Sequence, residues 1–499
     1  MTEQDSIGVD RRHVLGLGAA AGATAVLGVV ATGEAAQAGG RGGQPPLCPP
    51  TGLKGRALLP GQAGYAEEIA GFNLVQIPNP GLVIAAENTR DVQIAVRLAA
   101  RRRAPIAVLA TGHQPSVPIG RDAILVSTKG MRDVTIDDRR RTARAEAGAR
   151  WTHVLDKSLP EGLTGINGST PDVGVVGYTL GGGLSPTLGR RYGYAADHVR
   201  SIDLVTADGR LRTVTGWNDP ELFFGVRGGK SNFGLVTAVE FDLFPVSTFY
   251  GGAIIFDGKD AARLLHAYRR WVRTVPEAMS SSVALMHIPD APTSPPPLRG
   301  KAIVSLRICW TGRRDTGEAL VRPLRGIATP LLDTVTEQPY AAFPAIHSDP
   351  AGPVPAYERT GLLRDLTGDA VEALVAVAGP DAPYPITMVE VRHLGGALAR
   401  QPRHPNAVAH RDAGFTLFAA GGAGPEDAPA LREALARVVR RMQPWSTGGS
   451  YLNFMSVDEA STRAVSHAYP EHVYRRLRKL KRRVDPHNLF RLNHNIPPA

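Results

Sequence analysis

Cysteine is scarce in this sequence: Cys48 and Cys309 are the only two in 499 residues. One disulfide between them is possible, and spacing alone does not show whether it forms. No Cys or His spacing of the metal-ligand kind occurs, so no metal site is expected. After residue 30 no apolar run approaches the length needed to cross a bilayer. No solenoid-like period repeats along the chain. The strand–GxGxxG–helix unit with a later acidic residue, one common dinucleotide-binding signature, is also missing. Nor does any aromatic-interleaved basic motif accompany the excess of positive charge, so nothing singles out nucleic acid as a partner.

What is present bounds the answer further. A chain of this length exceeds what one hydrophobic core usually supports, which predicts two or three structural units. Hydrophobic residues at 43% and charged residues at 21% are ordinary for a globular protein. The 55 glycines are on the high side and sit in clusters, which suggests loops built from backbone. Net charge is +11, and residues 1–38 contribute −2 of it, leaving +13 on the rest. That balance permits anionic ligands or surfaces. The basic run from Arg475 to Arg483 contains Leu477 and Leu480 three apart, which predicts a solvated helix with one packed edge.

The N-terminus reads as an address. Arg11-Arg12 precede a stretch that stays small and apolar through Val30, and Ala36-Gln37-Ala38 offers a small-x-small cleavage site. This is the layout of a signal peptide over residues 1–38, and the paired arginines resemble a twin-arginine signal. Such a route carries folded proteins to a secreted or cell-envelope location. Residues 39–74 follow as a Gly- and Pro-rich linker and lead-in.

Residues 81–108 hold a strand–helix–strand pattern, with Asn88 supplying cap chemistry and Val92, Val96 and Ala99 at helical spacing. The second strand runs into Leu109-Ala110-Thr111-Gly112-His113. Further strands are predicted at 123–127 and 142–147 and a helix at 152–159. From about residue 251 the glycine motifs thin out, and strands at 252–256, 301–309 and 387–393 alternate with helices at 261–274 and 429–441. This predicts an antiparallel sheet with covering helices.

Four motifs carry chemistry. In the first, Gly112 lets the backbone curve so that consecutive amides face an anion, and His113 projects into the same concavity. The second is the glycine run 168–183, with Thr170, Asp172, Gly174, Gly177, Tyr178, Gly182 and Gly183, where amides can approach a pyrophosphate without Cβ obstruction. The third runs from Arg190 to Val199, resumes at Asp219 to Gly229 and ends at Asn232-Phe233-Gly234-Leu235-Val236-Thr237. The fourth comprises Tyr451-Leu452-Asn453-Phe454 and Asn493-His494-Asn495-Ile496.

In this order and spacing, from about residue 75 to the end, the motifs resemble those of berberine-bridge-enzyme-like flavoproteins, within the vanillyl-alcohol-oxidase or p-cresol-methylhydroxylase type. The resemblance implies an α+β protein. A two-lobed FAD-binding domain over 75–248 precedes a substrate domain over 249–450, whose antiparallel sheet is backed by helices. Residues 451–499 return to the FAD domain. It implies that Leu109, Ala110, Thr111, Gly112 and His113 cradle the pyrophosphate and that His113 bonds the flavin 8α-methyl carbon. Thr170, Asp172, Gly174, Gly177, Tyr178, Gly182, Gly183, Gly234, Val236, Asn493 and Asn495 should line the rest of the cofactor.

Two departures stand out. Many members place a cysteine where Thr170 stands, so a single covalent link through His113 is expected. Relatives often end Tyr-x-Asn-Tyr with a catalytic tyrosine, and here Phe454 takes that place. The base then falls to Tyr451 or to Glu390 and His393, with strand alternation placing Glu390 and Arg392 on one face and His393 on the other. The chemistry implied is hydride transfer to flavin N5 from a C–H beside an OH or NH of a small molecule such as a sugar, alkaloid or polyketide, with O2 as acceptor. A dehydrogenase using another acceptor, or a non-catalytic flavoprotein, would share these motifs.

Overall fold

The computed structural model describes residues 47–382 and 386–499. The signal-peptide reading of residues 1–38 lies outside them, as do residues 39–46 of the linker.

Three sheets organise the chain. In the first, β1 (Arg56–Leu58), β2 (Leu82–Ala85), β3 (Ile106–Leu109) and β4 (Ile124–Ser127) lie in the order β1-β2-β4-β3, with both β4 pairings parallel. The helix Thr89–Arg102 makes the crossover. Asn88 caps it by accepting the Asp91 N–H at 3.0 Å, and Arg103 ends it at φ 53. Val92, Ala95, Val96 and Ala99 bury its inner face. Each larger aliphatic side chain there contributes roughly 1.5–3 kcal/mol by leaving water. Asp91 is fully buried because its carboxylate takes the N–H groups of Lys54, Gly55 and Glu87, pinning the entering chain to the helix.

The second sheet orders β5 (Val134–Asp137), β6 (Thr142–Glu146), β9 (Leu235–Asp242), β7 (Val199–Val205) and β8 (Leu211–Val214), all antiparallel. Trp151 opens the helix Trp151–Ser158 and meets Phe241 and Tyr178 edge-on at 5.5 and 5.8 Å. The glycine run is not all loop, because the helix Val175–Leu180 forms inside it. Val175, Val176 and Leu180 bury one face in this lobe's core, and that burial outweighs the glycine cost.

An eight-stranded antiparallel sheet follows: β10 (Thr248–Asp257), β11 (Met279–His287), β12 (Ala302–Trp310), β13 (Leu332–Asp333), β14 (Thr336–Pro339), β15 (Ala356–Leu363), β16 (Met388–His393) and β17 (Phe415–Gly422). Helices Ala261–Trp271, Gly368–Ala378 and Ala428–Met442 cover one face, where Leu264, Leu374 and Val438 meet Val283, Val391 and Leu417. The opposite face is mixed: Phe249 and Cys309 join the core of the second lobe, while Ser282, Arg307, Glu390, Arg392 and Thr416 form a buried polar patch.

After this sheet the chain comes back. The helix Glu471–Val484 packs Leu477 and Leu480 against the helix Pro220–Gly229. The helix has the expected packed edge, and that edge also takes in a charged residue, Lys481. Its side chain is 0% exposed and pairs at 2.8 Å with Asp485, also 0% exposed. Lys481 Nζ also donates to the carbonyls of Asn232 and Phe490, and Asp485 accepts the N–H groups of Leu489 and Phe490. The pair is buried because it holds the returning segment on the second lobe.

Candidate functional site

The loop after β3 is shaped by its glycine. Gly112 has φ 67, and a Cβ there would lie 2.6 Å from Gly71 Cα. Phe72 N–H donates to Thr111 O and Asn73 N–H to Gly112 O, at 2.9 and 3.1 Å. This close backbone approach sets the His113 ring flat on Phe72. The Nδ1 of His113 lies 2.9 Å from Thr111 Oγ1, while Nε2 is buried with no partner among the described residues. Burial first, then Arg150, lowers the imidazole to about 4, so it is neutral at neutral pH. When Nδ1–H donates to Thr111, the free lone pair rests on Nε2.

Other predicted residues converge on this loop. Gly174 N–H donates to Thr111 Oγ1 at 3.3 Å. Asn453 Nδ2 donates to Tyr178 O at 2.7 Å, tying the C-terminal return to the helix inside the glycine run. A Cβ on Gly182 or Gly183 would strike Tyr451 or Tyr178. Asn493 Nδ2 donates to Ser231 Oγ at 3.2 Å. Polar atoms without partners cluster on the same segments: His113 Nε2, Tyr178 OH, Thr179 Oγ1, Asn493 Oδ1, His494 Nε2 and Asn495 Oδ1. Buried polar groups are rarely left so, and a polar ligand between these segments would satisfy them. Thr170 and Asp172 sit toward the rim, where Asp172 faces Arg150 at 3.5 Å. Gly234 and Val236 flank the start of β9, against β7.

The three residues named for the proton are not brought together. Tyr451 OH accepts the Leu184 N–H at 2.8 Å, and burial, then Tyr194, pushes its phenol up. Glu390 lies in the polar patch of the third sheet. Burial alone would raise its carboxyl, but Arg392, Arg307 and His347 hold it well below the usual range. His393 points to the other face, where its Nε2 meets Arg190 Nη1 at 3.0 Å. Burial, then Arg190, lowers it to about 3.

Sequence reasoning missed Lys230 and Glu358. Lys230 is lowered to about 7 by burial and gives its ammonium to Gln114 Oε1. It sits at φ 54 and ψ −146, a region few side chains tolerate. Its one sequence signal is a long cation directly after Gly228-Gly229. Gln114 also donates to Leu452 O and Met455 O, at 2.7 and 2.8 Å. Partly buried Glu358 is raised to about 8 by burial and by Glu459. With Asn73, Gln114 and Met455 it lines a small cavity. That cavity shares Val75, Tyr357, Val457 and Asp458 with an open groove of about 560 Å³.

Residues 80–215 match the FAD binding domain, and residues 450–497 match the family described as berberine and berberine like. The chain is an FAD-linked oxidoreductase that carries an FAD binding domain and a berberine-like domain. A curated relative of this oxidoreductase, the (R)-6-hydroxynicotine oxidase of Paenarthrobacter nicotinovorans, is 26% identical over 91% of this chain and 98% of its own. An FAD-linked oxidoreductase of Dictyostelium discoideum is 25% identical over 89% and 95%. Among solved structures, 6-hydroxy-D-nicotine oxidase from Arthrobacter nicotinovorans superposes with a TM-score of 0.77 at 24% identity, over 90% of this chain and 99% of that one. Xylooligosaccharide oxidase from Myceliophthora thermophila gives 0.76 at 21% identity, over 89% and 98%. The fold is that of the p-cresol-methylhydroxylase type, as the motif order implied.

Proposed function

We propose that this oxidoreductase is an exported oxidase that holds FAD covalently through His113. It removes hydride from a carbon bearing OH or NH on a small molecule, and O2 is the final acceptor. The observation that carries the reading is His113 itself: a neutral, partly buried imidazole, held by Phe72 and Thr111, with its buried Nε2 unpartnered beside the glycine run. When bound, FAD supplies the hydride acceptor.

The protein's own groups do the rest. Leu109 through His113, Gly174, Gly182 and Gly183 give backbone room for the cofactor, and Asn493 and Asn495 offer carbonyl oxygens from the chain's end. Thr170 cannot form a thioether, so the link is single. Tyr451 keeps its proton and its bond to Leu184, and so holds the wall beside Gly182 rather than taking a proton. Glu390 is committed to its guanidinium partners. Glu358, raised to about 8 at the cavity, is mostly protonated at pH 7, and it accepts the substrate's heteroatom proton only in its ionised form, which grows as pH rises toward 8. Substrates of the relatives include 6-hydroxynicotine and xylooligosaccharides by name, which fits oxidation next to nitrogen or oxygen. Export rests on the Arg11-Arg12 signal in residues 1–38 and the twin-arginine machinery that reads it.

The test is direct. The purified protein is denatured in acid and the precipitate examined for yellow colour. Colour should stay with the polypeptide and be lost in His113→Ala. Reoxidation of the reduced protein by O2, followed by stopped flow, separates an oxidase from a dehydrogenase. A protein that binds no added FAD would end the reading.

A further inference from the structure

The polar patch of the eight-stranded sheet carries more positive charge than its own residues neutralise. Arg307, Ser282, Arg392 and Thr416 form one row across β12, β11, β16 and β17, each directly opposite the next. Such neighbours have Cβ atoms about 4.5–5.5 Å apart. Glu390, two residues along β16, is the carboxylate that serves this row. It accepts from Ser282 Oγ at 2.5 Å, Arg392 Nη2 at 2.9 Å and Arg307 Nη1 at 3.2 Å. His347 Nε2 stands 3.5 Å from it, its imidazole lowered by burial. Two guanidiniums therefore face one carboxylate, with Arg307, Arg392 and Glu390 4%, 9% and 2% exposed. The other acid on this face, Glu358, is held protonated through neutral pH. Burying a net charge is costly, so the surplus cation calls for a partner.

Unused donors point to where that partner sits. Arg392 gives one N–H to Glu390, while its Nε is buried and unpartnered. Thr416 Oγ1, directly opposite Arg392, is unpartnered too, as is Ser280 Oγ, two residues before Ser282. On the facing wall, Tyr178 OH lacks a partner and lies within electrostatic range of Arg392. The Phe454 ring, 5.8 Å from the Arg392 guanidinium carbon, closes the same space. Hydroxyls and a guanidinium from two walls converge without an acceptor between them. Tyr178 belongs to the glycine run, so this space adjoins the flavin-binding segments.

We propose that the substrate carries a carboxylate, bound by Arg392 with the hydroxyls of Thr416 and Ser280 beside it. This rests on the reading of the chain as an FAD oxidase and names its substrate class. A carboxylate takes charge-assisted bonds from a guanidinium and cancels the surplus cation. A neutral sugar would leave that charge buried and uncompensated.

The FAD-loaded full chain is titrated with benzoate and, separately, with its neutral isostere benzamide, and perturbation of the flavin absorbance is recorded. Benzoate should perturb the spectrum and bind at least tenfold more tightly than benzamide. Arg392→Met should weaken benzoate at least tenfold and leave benzamide unchanged, with Arg392→Lys intermediate. Thr416→Val, which keeps the side-chain shape and the Glu390 cluster, should weaken benzoate about threefold, and it decides the matter if the arginine variants do not fold. Equal binding of the two probes, or wild-type benzoate binding in Arg392→Met, overturns the proposal. So does a spectrum that benzoate leaves unmoved while the flavin stays bound and reducible by dithionite, which leaves the oxidase reading standing.

Discussion

The imidazole of His113 lies flat on the ring of Phe72, with centroids 4.1 Å apart and planes 7° from parallel. Thr111 fixes the ring's rotation through Nδ1, so stacking and one hydrogen bond together aim Nε2. Phe72→Ala removes the stack and leaves His113 in place. The fraction of flavin that stays with acid-precipitated protein should fall, while non-covalent FAD still binds. The imidazole's value near 4 is below its ordinary 6.5, so protonation favours the unfolded chain. The stability this gives is present above about pH 6.5 and is lost as pH falls toward 4, a loss that His113→Ala should lack in pH-dependent thermal melts.

Gly112→Ala tests the loop without touching the imidazole. The added Cβ meets Gly71 backbone at 2.6 Å, and φ 67 strains any other side chain. Expected is a folded protein by far-UV circular dichroism with little or no bound flavin. A fully yellow Gly112→Ala protein would show that the close approach is dispensable.

Breaking the buried Lys481–Asp485 pair should cost more than any surface charge change in this chain. Lys481→Met strands a buried carboxylate, an effect on the order of 3–5 kcal/mol in urea unfolding. Pairing it with Asp485→Leu should recover part of that loss. Burial lowers Lys481 to about 8 despite its partner, so protonating it costs folding energy as pH drops from about 10.5 to 8. The Met variant should therefore lose least, relative to wild type, near neutral pH.

Glu358 supplies a pH test. Its folded value near 8 exceeds the ordinary 4.5, so wild-type stability declines as pH rises between those values. Glu358→Gln removes the decline, and its melting-temperature advantage should widen from pH 5 to pH 8. If Glu358 takes the substrate proton, turnover by the Gln variant should also fall at least tenfold and lose its dependence on a group titrating near 8.

Local signals carried much of the fold. Asn88 marked the start of the crossover helix and the Val92–Val96–Ala99 spacing its buried face, because caps and apolar periodicity act over a few positions. The strand that delivers His113 was legible for the same reason. Alternation along β16 correctly separated Glu390 from His393, since the pleat alone sets that geometry. Which face looks toward the glycine run was not legible, because that depends on where the covering helices lie.

By itself the sequence determined the backbone-permissive glycines, the histidine that follows β3 and the asparagines that close the chain. Only the tertiary structure decided their company. Arg307 and Glu390 are 83 residues apart, Lys230 and Gln114 are 116 apart, and Lys481 and the Asn232 carbonyl it donates to are 249 apart. Charge burial is a property of the assembled surroundings, and no window of sequence contains both members of those pairs.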